Sequence, residues 1–165
     1  MTKKVITLTP KGVMTPIGPY SHIAKTGDFV AISAIAGVDP ATGELAGPDI
    51  EAQTRQIMES FDQLLTAADS DFAHVLHINV FLTNMSDFDR MNLVYADYLG
   101  ELRPARTVIS VCDVPKHGAL LTMNLSAVTV GSLRNFISGS GINLCEFCVF
   151  VSGAMYQLGH PDYPF

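Results

Sequence analysis

The ten residues His74-Val75-Leu76-His77-Ile78-Asn79-Val80-Phe81-Leu82-Thr83 decide the class of fold. The even-numbered positions from 76 to 82 are all aliphatic, whereas the odd-numbered positions mix polar and apolar side chains. Successive side chains of a strand point to opposite faces, so this pattern predicts a β-strand with one uniformly aliphatic face. We expect helices to bury that face.

Amphipathic helices are predicted on both sides of this strand. Between residues 50 and 68, apolar side chains recur at three- and four-residue steps, and charged side chains fill the opposite side. Asp49 stands where an N-cap is expected. After the strand, Ser86 and Asp89 have the Ser-x-x-acid spacing of a helix start, and Gly100 marks the predicted end of the second helix.

Further strands complete the predicted fold. Residues 28–33, 106–111 and 120–130 are rich in strand-forming residues, and the turn residues at 39–43 predict that a hairpin starts or ends there. The order of strands, helix, strand, helix and strands is that of an α+β fold with two helices on one face of a sheet. The other face stays uncovered, which predicts homo-oligomerisation.

The composition limits the classes of partner. The 165 residues include 10 Lys+Arg and 16 Asp+Glu, for a formal net charge of −6, and 48% of them are apolar. A disordered chain carries less apolar material, and a nucleic-acid or anionic-membrane binder needs a basic stripe that this sequence lacks. We therefore expect no nucleic acid and no membrane as a partner, but a small ligand or another protein.

The location and redox state are predicted from three observations. No apolar run reaches the roughly 18 residues of a membrane span, and residues 1–5 lack the apolar stretch of a signal peptide. Cys112, Cys145 and Cys148 do not form a disulfide framework. These observations predict a cytoplasmic protein. Cys145 and Cys148 have CxxC spacing, but zinc needs four ligands and no second such pair is present, so we predict two buried apolar side chains rather than a metal or redox pair. Cys112 is also predicted to be a buried thiol.

Three residues are candidates for a ligand site, while the motifs of the common nucleotide, metal and serine-hydrolase enzymes are absent. Arg106 opens a strand, where its guanidinium could clamp a carboxylate or pair with a surface Glu. Tyr20 could stack on a planar ligand or fill an edge of the core. Asn92, in the middle of a predicted helix, could make a side-chain contact or face solvent.

Six sequence elements follow one another in the order of a known family. They are Pro16-Ile17-Gly18-Pro19-Tyr20-Ser21, Gly37-Val38-Asp39-Pro40-x-Thr42-Gly43, Ile50-Glu51-Ala52-Gln53-Thr54-Arg55-Gln56, Val80-Phe81-Leu82-Thr83-x-Met85-x-Asp87-Phe88, Asn92-x-x-Tyr95 and Arg103-Pro104-Ala105-Arg106-Thr107. Through these elements, residues 10–130 resemble the reactive intermediate deaminases, the RidA (YjgF/YER057c/UK114) family.

The resemblance implies a chorismate-mutase-like fold, assembled as a homotrimer whose sheets line a central barrel, with three ligand pockets between adjacent subunits. It implies a hydrolase that converts 2-imino or 2-enamino acids to 2-oxo acids and ammonia without a metal or organic cofactor. By position, it assigns the substrate carboxylate to Arg106 and the body of the substrate to Tyr20. Asn92 and the backbone around Ser33 and Ala34 would line the rest of the cleft.

The last predicted strand departs from the pattern that the resemblance implies. Active members carry a Glu there that orients the attacking water, and Thr122 takes its position in this sequence. No acid occurs between Asp113 and Glu146, so no shift of alignment restores a carboxylate. A threonine does not titrate near pH 7 and can only hydrogen-bond a water.

Three functions therefore stay open at this point. The first is a deaminase, general or specific to one pathway such as an aminomuconate deaminase, with Arg106 and Thr122 as catalytic residues. The second is a non-catalytic binder of 2-oxo acids at Arg106. The third is the ribonuclease or translation-inhibitor role also ascribed to the family, which the net charge of −6 disfavours.

The resemblance also predicts a boundary in the chain. Residues 1–130 form the family-like domain, and residues 131–165 are an apolar extension without a counterpart in the pattern. Exposed apolar surface costs about 25 cal/mol per Å². We expect the extension to pack as an added strand or against a neighbouring subunit.

Overall fold

The computed structural model describes residues 4–131 of the chain. They form six strands and two α-helices, in the predicted order of strands, helix, strand, helix and strands. These are β1 (Ile6–Leu8), β2 (Ile23–Thr26), β3 (Phe29–Ala36), α1 (Ile50–Ala67), β4 (Val75–Leu82), α2 (Phe88–Leu99), β5 (Ala105–Ser110) and β6 (Leu121–Val128). The predicted extension beyond Gly131, with Cys145 and Cys148, lies outside the described residues.

The first helix forms as its sequence pattern predicts. The side chain of Asp49 accepts a hydrogen bond from the amide of Ala52 at 2.8 Å, which satisfies one of the free N–H groups of the first turn. The apolar stripe of α1 is buried, with Phe61 fully inaccessible to solvent. The predicted N-cap and buried face of α1 are therefore confirmed.

The six strands form one sheet in the order β1-β2-β3-β6-β4-β5. All neighbouring pairs are antiparallel except β4 and β5, which are parallel and are connected through α2. This order places β5 at an edge of the sheet, next to α2 in sequence. Arg106, the second residue of β5, consequently lies on an edge strand.

Both helices pack on the same face of the sheet. One continuous core joins the buried side chains of α1 and α2 to those of the central strands, among them Phe61, Met91, Ile78, Val80 and Met123. On the outside, Arg90 of α2 donates two hydrogen bonds to the carboxylate of Glu51 of α1, both at 2.6 Å. The predicted α+β class, with two helices on one face of a sheet, is confirmed. The trimeric barrel stays a prediction.

The strand predicted at 74–83 is present, but the prediction of its aliphatic face was wrong at one end. Leu76 is 48% exposed, whereas Val75 is buried. The pairing of β4 with β6 shifts by one residue between Val75 and His77, and such a bulge reverses the sides to which side chains point. From Ile78 to Leu82 the predicted alternation holds.

The predicted cap at the start of the second helix was wrong by two residues. The side-chain oxygen of Asn84, rather than Ser86, accepts a backbone hydrogen bond, from the amide of Ser86 at 3.0 Å, and a 3-10 turn over Met85–Asp87 leads into α2. The predicted end is confirmed. Gly100 has φ 57°, in the positive-φ region that glycine adopts more readily than other residues.

The predicted chain reversal at 39–43 is present as a short hairpin outside the six-stranded sheet, with an antiparallel bridge between Val38 and Leu45. The prediction that Cys112 is buried was wrong: it is exposed, since it follows the end of the edge strand β5. In the part of the chain that the structure describes, no helix is long and apolar enough to cross a membrane.

Candidate functional site

Arg106 is held against α2. Its Nη1 donates a hydrogen bond to Oδ1 of Asn92 at 2.7 Å, and its guanidinium carbon lies 4.7 Å from the centroid of the Tyr95 ring and 5.8 Å from that of Phe88. Such cation–π contacts fix the plane of a guanidinium. Among the described residues Arg106 forms no ion pair with a Glu, so the alternative of a rim Arg paired with a surface Glu is wrong.

The helical spacing of Asn92 and Tyr95 explains this arrangement. Residues three apart on a helix are neighbours on its surface, and here both face Arg106 at the start of β5. The alternative that Asn92 only faces solvent is therefore wrong. Burial raises the pKa of the Tyr95 hydroxyl above its usual value, although the nearby Arg106 opposes this effect.

A cavity of about 450 Å³ lies beside Arg106. Its lining includes Asn92, Tyr95, Leu99 and Arg103, together with Pro104. We call this the arginine cavity. Asn92 accepts the one hydrogen bond that the guanidinium donates within residues 4–131, which leaves its other N–H donors for a carboxylate. A carboxylate accepts hydrogen bonds in pairs from Arg.

The other predicted site residues line a second cavity, of about 600 Å³. Tyr20, Ser33, Ala34 and Thr122 all border it, and we call it the hydroxyl cavity. Its wall is otherwise mostly apolar, but Lys116 also lines it, with Nζ donating to the carbonyl of Gly43 at 3.1 Å. Tyr20 is 38% exposed.

A bulge in β3 places Ser33 and Ala34 at this cavity. The pairing between β3 and β6 runs from Ile32 opposite Leu125 to Ile35 opposite Met123, so two residues of β3 lie against one of β6. After the bulge, Ala36 pairs with Thr122, and both line the hydroxyl cavity. The bulge thus helps to place Ser33 and Ala34 in the hydroxyl cavity beside Thr122.

Arg106 and Thr122 project from opposite faces of the sheet. Arg106 pairs with Ile78, whose side chain is buried beneath the helices, and Thr122 pairs with Phe81, three positions further along β4. Odd separations along a strand put side chains on opposite faces. Arg106 and Ser33 lie on strands three places apart, which at about 4.8 Å per strand is about 14 Å. The arginine cavity and the hydroxyl cavity are therefore separate within one chain.

Neither cavity carries an acidic group among the residues that line it. Thr122 is buried, 8% exposed, on β6, where the resemblance implies a carboxylate. Residues 4–131 also contain no group of three His, Cys, Asp or Glu side chains that could hold a metal ion. The polar groups that line the two cavities are hydroxyls, the amide of Asn92 and three cations, Arg103, Arg106 and Lys116.

Two residues were not predicted from the sequence: Lys116, which lines the hydroxyl cavity, and His22, which lies behind its wall. Lys116 lies in a loop without a recognisable pattern, so no local signal marks it. His22 is fully buried behind the wall and contacts both Tyr20 and Ser33. A histidine directly after the Tyr20-Ser21 pair was a signal that could have been used, since a polar residue at the start of a buried strand needs partners.

The endoribonuclease L-PSP family model matches residues 11–129 of this chain. The chain belongs to this family, the YjgF/RidA family. The match covers nearly all described residues and agrees with the resemblance that the sequence elements showed.

Individual proteins of the family give the same result. A RutC family protein of Pyrococcus horikoshii is 45% identical over 101 residues, which are 61% of this chain and 80% of that protein. A 2-iminobutanoate/2-iminopropanoate deaminase of Bos taurus is 34% identical over 102 residues, or 62% of this chain and 74% of that protein. The crystal structure of RidA from an Antarctic Psychrobacter superposes with a TM-score of 0.71 at 32% identity, covering 74% of this chain and 98% of that one.

Proposed function

We propose that this RidA-family protein hydrolyses 2-imino or 2-enamino acids to 2-oxo acids and ammonia, in pockets formed between subunits of a homotrimer. Relatives named as deaminases of 2-iminobutanoate and 2-iminopropanoate and as a reactive intermediate deaminase support the reaction class. The separation of Arg106 from Thr122 supports the shared pocket.

The observation that carries the proposal is that one chain holds two incomplete half-sites. The arginine cavity has the carboxylate clamp, and the hydroxyl cavity has Tyr20, Ser33 and Thr122. In a 2-imino acid the carboxylate is attached directly to the imine carbon, so half-sites on opposite faces of the sheet cannot hold the same molecule. A second copy of the chain, with its hydroxyl cavity against the arginine cavity of the first, would complete the site.

The proposed reaction consists of the addition of a water to the imine and the loss of ammonia. The oxygen of a water forms a bond to the imine carbon while the C=N π electrons move to nitrogen, which takes up the proton that the water loses. The remaining hydroxyl proton then passes to the nitrogen as the C–N bond breaks, so that ammonia leaves and a 2-oxo acid remains. Arg106 would hold the carboxylate so that the neighbouring carbon stays fixed. Thr122 and Ser33 would hydrogen-bond the water.

Mixed oligomers test the shared pocket directly. Arg106→Ala and Tyr20→Ala alter opposite half-sites, and each variant alone should release ammonia slowly from enzymatically generated 2-iminobutyrate. When the two are refolded together in equal amounts, about a quarter of the pockets in a cyclic oligomer contain both native residues. Recovery of about that fraction of the wild-type rate is expected. Mixed variants as inactive as the separate ones would contradict a pocket shared between chains.

A non-catalytic carboxylate binder is the second candidate, favoured by the absence of an acidic residue from the lining of both cavities. Such a protein would bind 2-oxobutyrate at Arg106 but leave the rate of imine hydrolysis at its value in buffer. Calorimetric titration of wild type and Arg106→Ala with 2-oxobutyrate, beside the ammonia assay, separates the two candidates. The ribonuclease role has less support, since a net charge of −6 opposes contact with phosphates.

A further inference from the structure

His22 lies immediately behind the wall of the hydroxyl cavity, with no exposure to solvent. Its Nε2 is 2.6 Å from the carbonyl oxygen of Met14, and its Nδ1 is 3.2 Å from Oγ of Ser33. The ring also meets the Tyr20 ring edge-on, with centroids 5.7 Å apart and planes at 80°. One buried imidazole therefore contacts three residues that line the cavity.

These contacts decide which atoms carry protons. A carbonyl oxygen can only accept, so the short contact with Met14 requires a hydrogen on Nε2. In a neutral imidazole Nδ1 is then the acceptor, and the hydroxyl of Ser33 donates to it. A doubly protonated ring would bury a positive charge, and no carboxylate among residues 4–131 is hydrogen-bonded to it.

The direction of this hydrogen bond determines what Ser33 offers the cavity. A serine hydroxyl has one hydrogen and two acceptor lone pairs. Because the hydrogen is directed to Nδ1 of His22, only acceptor capacity remains for a group inside the cavity. Ser33 thus becomes a fixed acceptor in a lining that carries no carboxylate.

We propose that His22 is a positioning residue, which orients the Ser33 hydroxyl as the hydrogen-bond acceptor for the attacking water or for the N–H of an imine or enamine. The proposal rests on the function proposed above. It names Ser33, oriented by His22, as the group that positions the water in place of the carboxylate that Thr122 replaces. Within residues 4–131 no hydrogen bond holds the hydroxyls of Thr122 and Tyr20, whereas a buried ring holds that of Ser33.

The kinetic test compares four variants with wild type on enzymatically generated 2-iminobutyrate. Ser33→Ala removes the acceptor and should lower kcat about tenfold, while KM changes less than threefold. His22→Leu should have a similar effect, and His22→Gln should recover most of the rate, because an amide can donate to Met14 and accept from Ser33. The double variant His22→Leu/Ser33→Ala should be no slower than Ser33→Ala alone.

Additive losses in the double variant would overturn the positioning role, as would His22→Gln being as slow as His22→Leu in a folded protein. A Ser33→Ala variant with wild-type kcat would do the same. If His22→Leu does not fold, Ser33→Ala and His22→Gln still decide the question, because they leave the Met14 carbonyl with a donor.

A second measurement does not depend on catalysis. Nitrogen-15 NMR of the His22 ring in the wild-type protein should show hydrogen on Nε2 and a hydrogen-bonded Nδ1 without a hydrogen, and the Nδ1 signal should move in Ser33→Ala. A ring protonated at Nδ1 would overturn the proposal. A wild-type protein that releases no ammonia but shows the expected ring signals would instead contradict the proposed function and the catalytic part of this inference, leaving only the orientation of Ser33.

Discussion

The hydrogen bond from Arg106 Nη1 to Asn92 Oδ1, at 2.7 Å, fixes the guanidinium between β5 and α2. It also satisfies one donor with a neutral acceptor, so the full positive charge stays available to a ligand. The ring of Tyr95, one turn further along α2, packs against the guanidinium of Arg106. The arginine cavity is thus preorganised by one helix face.

Replacing Asn92 should weaken carboxylate binding, and the size of the loss should depend on the charge of the new side chain. Asn92→Ala removes one neutral anchor and should raise the Kd for 2-oxobutyrate about threefold to tenfold. Asn92→Asp places an anion beside Arg106 that competes with the ligand, so we expect a larger loss. Calorimetric titration measures both. Equal affinities for the Asp variant and wild type would show that Arg106 does not bind the ligand.

Tyr95→Phe should stabilise the protein by about 1 kcal/mol, because within residues 4–131 the buried Tyr95 hydroxyl has no hydrogen-bond partner. The pKa of that hydroxyl is raised by burial. Wild type should therefore lose stability as the pH rises above about 10, where the unfolded chain ionises first, and the Phe variant should lose less. Urea unfolding at pH 7 and pH 10.5 checks both effects. A Phe variant less stable than wild type would show that the hydroxyl has a partner in the assembled protein.

Lys116 should favour substrates with a second negative group. Lys116 is a cationic residue of the hydroxyl cavity, whereas Arg106 would hold the first carboxylate. Lys116→Met should lower kcat/KM for 2-aminomuconate, which is a dicarboxylate. The fold decrease should be about five times the fold decrease for 2-iminobutyrate. Lys11→Met makes the same change in net charge at an exposed position that lines neither cavity. Similar losses on both substrates would rule out this role of Lys116.

Gly37→Ala should destabilise the fold by about 1–3 kcal/mol, the usual range for overpacking. A Cβ at this position would lie 2.6 Å from Cα of Gln53 in α1, where backbone meets backbone. Gly18→Ala is the control, because its Cβ would meet only the Tyr20 ring at 3.6 Å, an ordinary contact. Thermal unfolding measures both variants. A Gly37→Ala protein as stable as Gly18→Ala would show that α1 can move away from the loop after β3.

Local patterns were sufficient for the elements of this fold. The spacing of apolar residues and the cap at Asp49 identify α1, since both are properties of a single helix. The order of elements then predicts the two-layer architecture. The ordered motifs from residue 16 to residue 107 were also sufficient for the family, because they need no knowledge of which residues meet in space.

The face that each strand residue occupies, and the contacts between distant residues, could not be predicted. They depend on strand pairing, which leaves no pattern in the local sequence. One-residue shifts at Val75 and beyond Ile32 change which face each side chain occupies, and a bulge is set by pairing with another strand. Leu76 was assigned to the wrong face for this reason. Likewise, the contact of His22 with Ser33 joins residues 11 apart across two strands.

The sequence by itself determined the class of fold, the helix faces, the family and the set of polar residues available for chemistry, because these depend on residue identity and spacing along one element. Only the tertiary structure decided how those residues are grouped. Strand order and sheet faces separate Arg106 from Thr122, and long-range packing brings Tyr20, Ser33, Lys116 and Thr122 to one cavity. Sites are formed by contacts between distant segments, so their composition follows from the pairing of strands rather than from any single stretch of sequence.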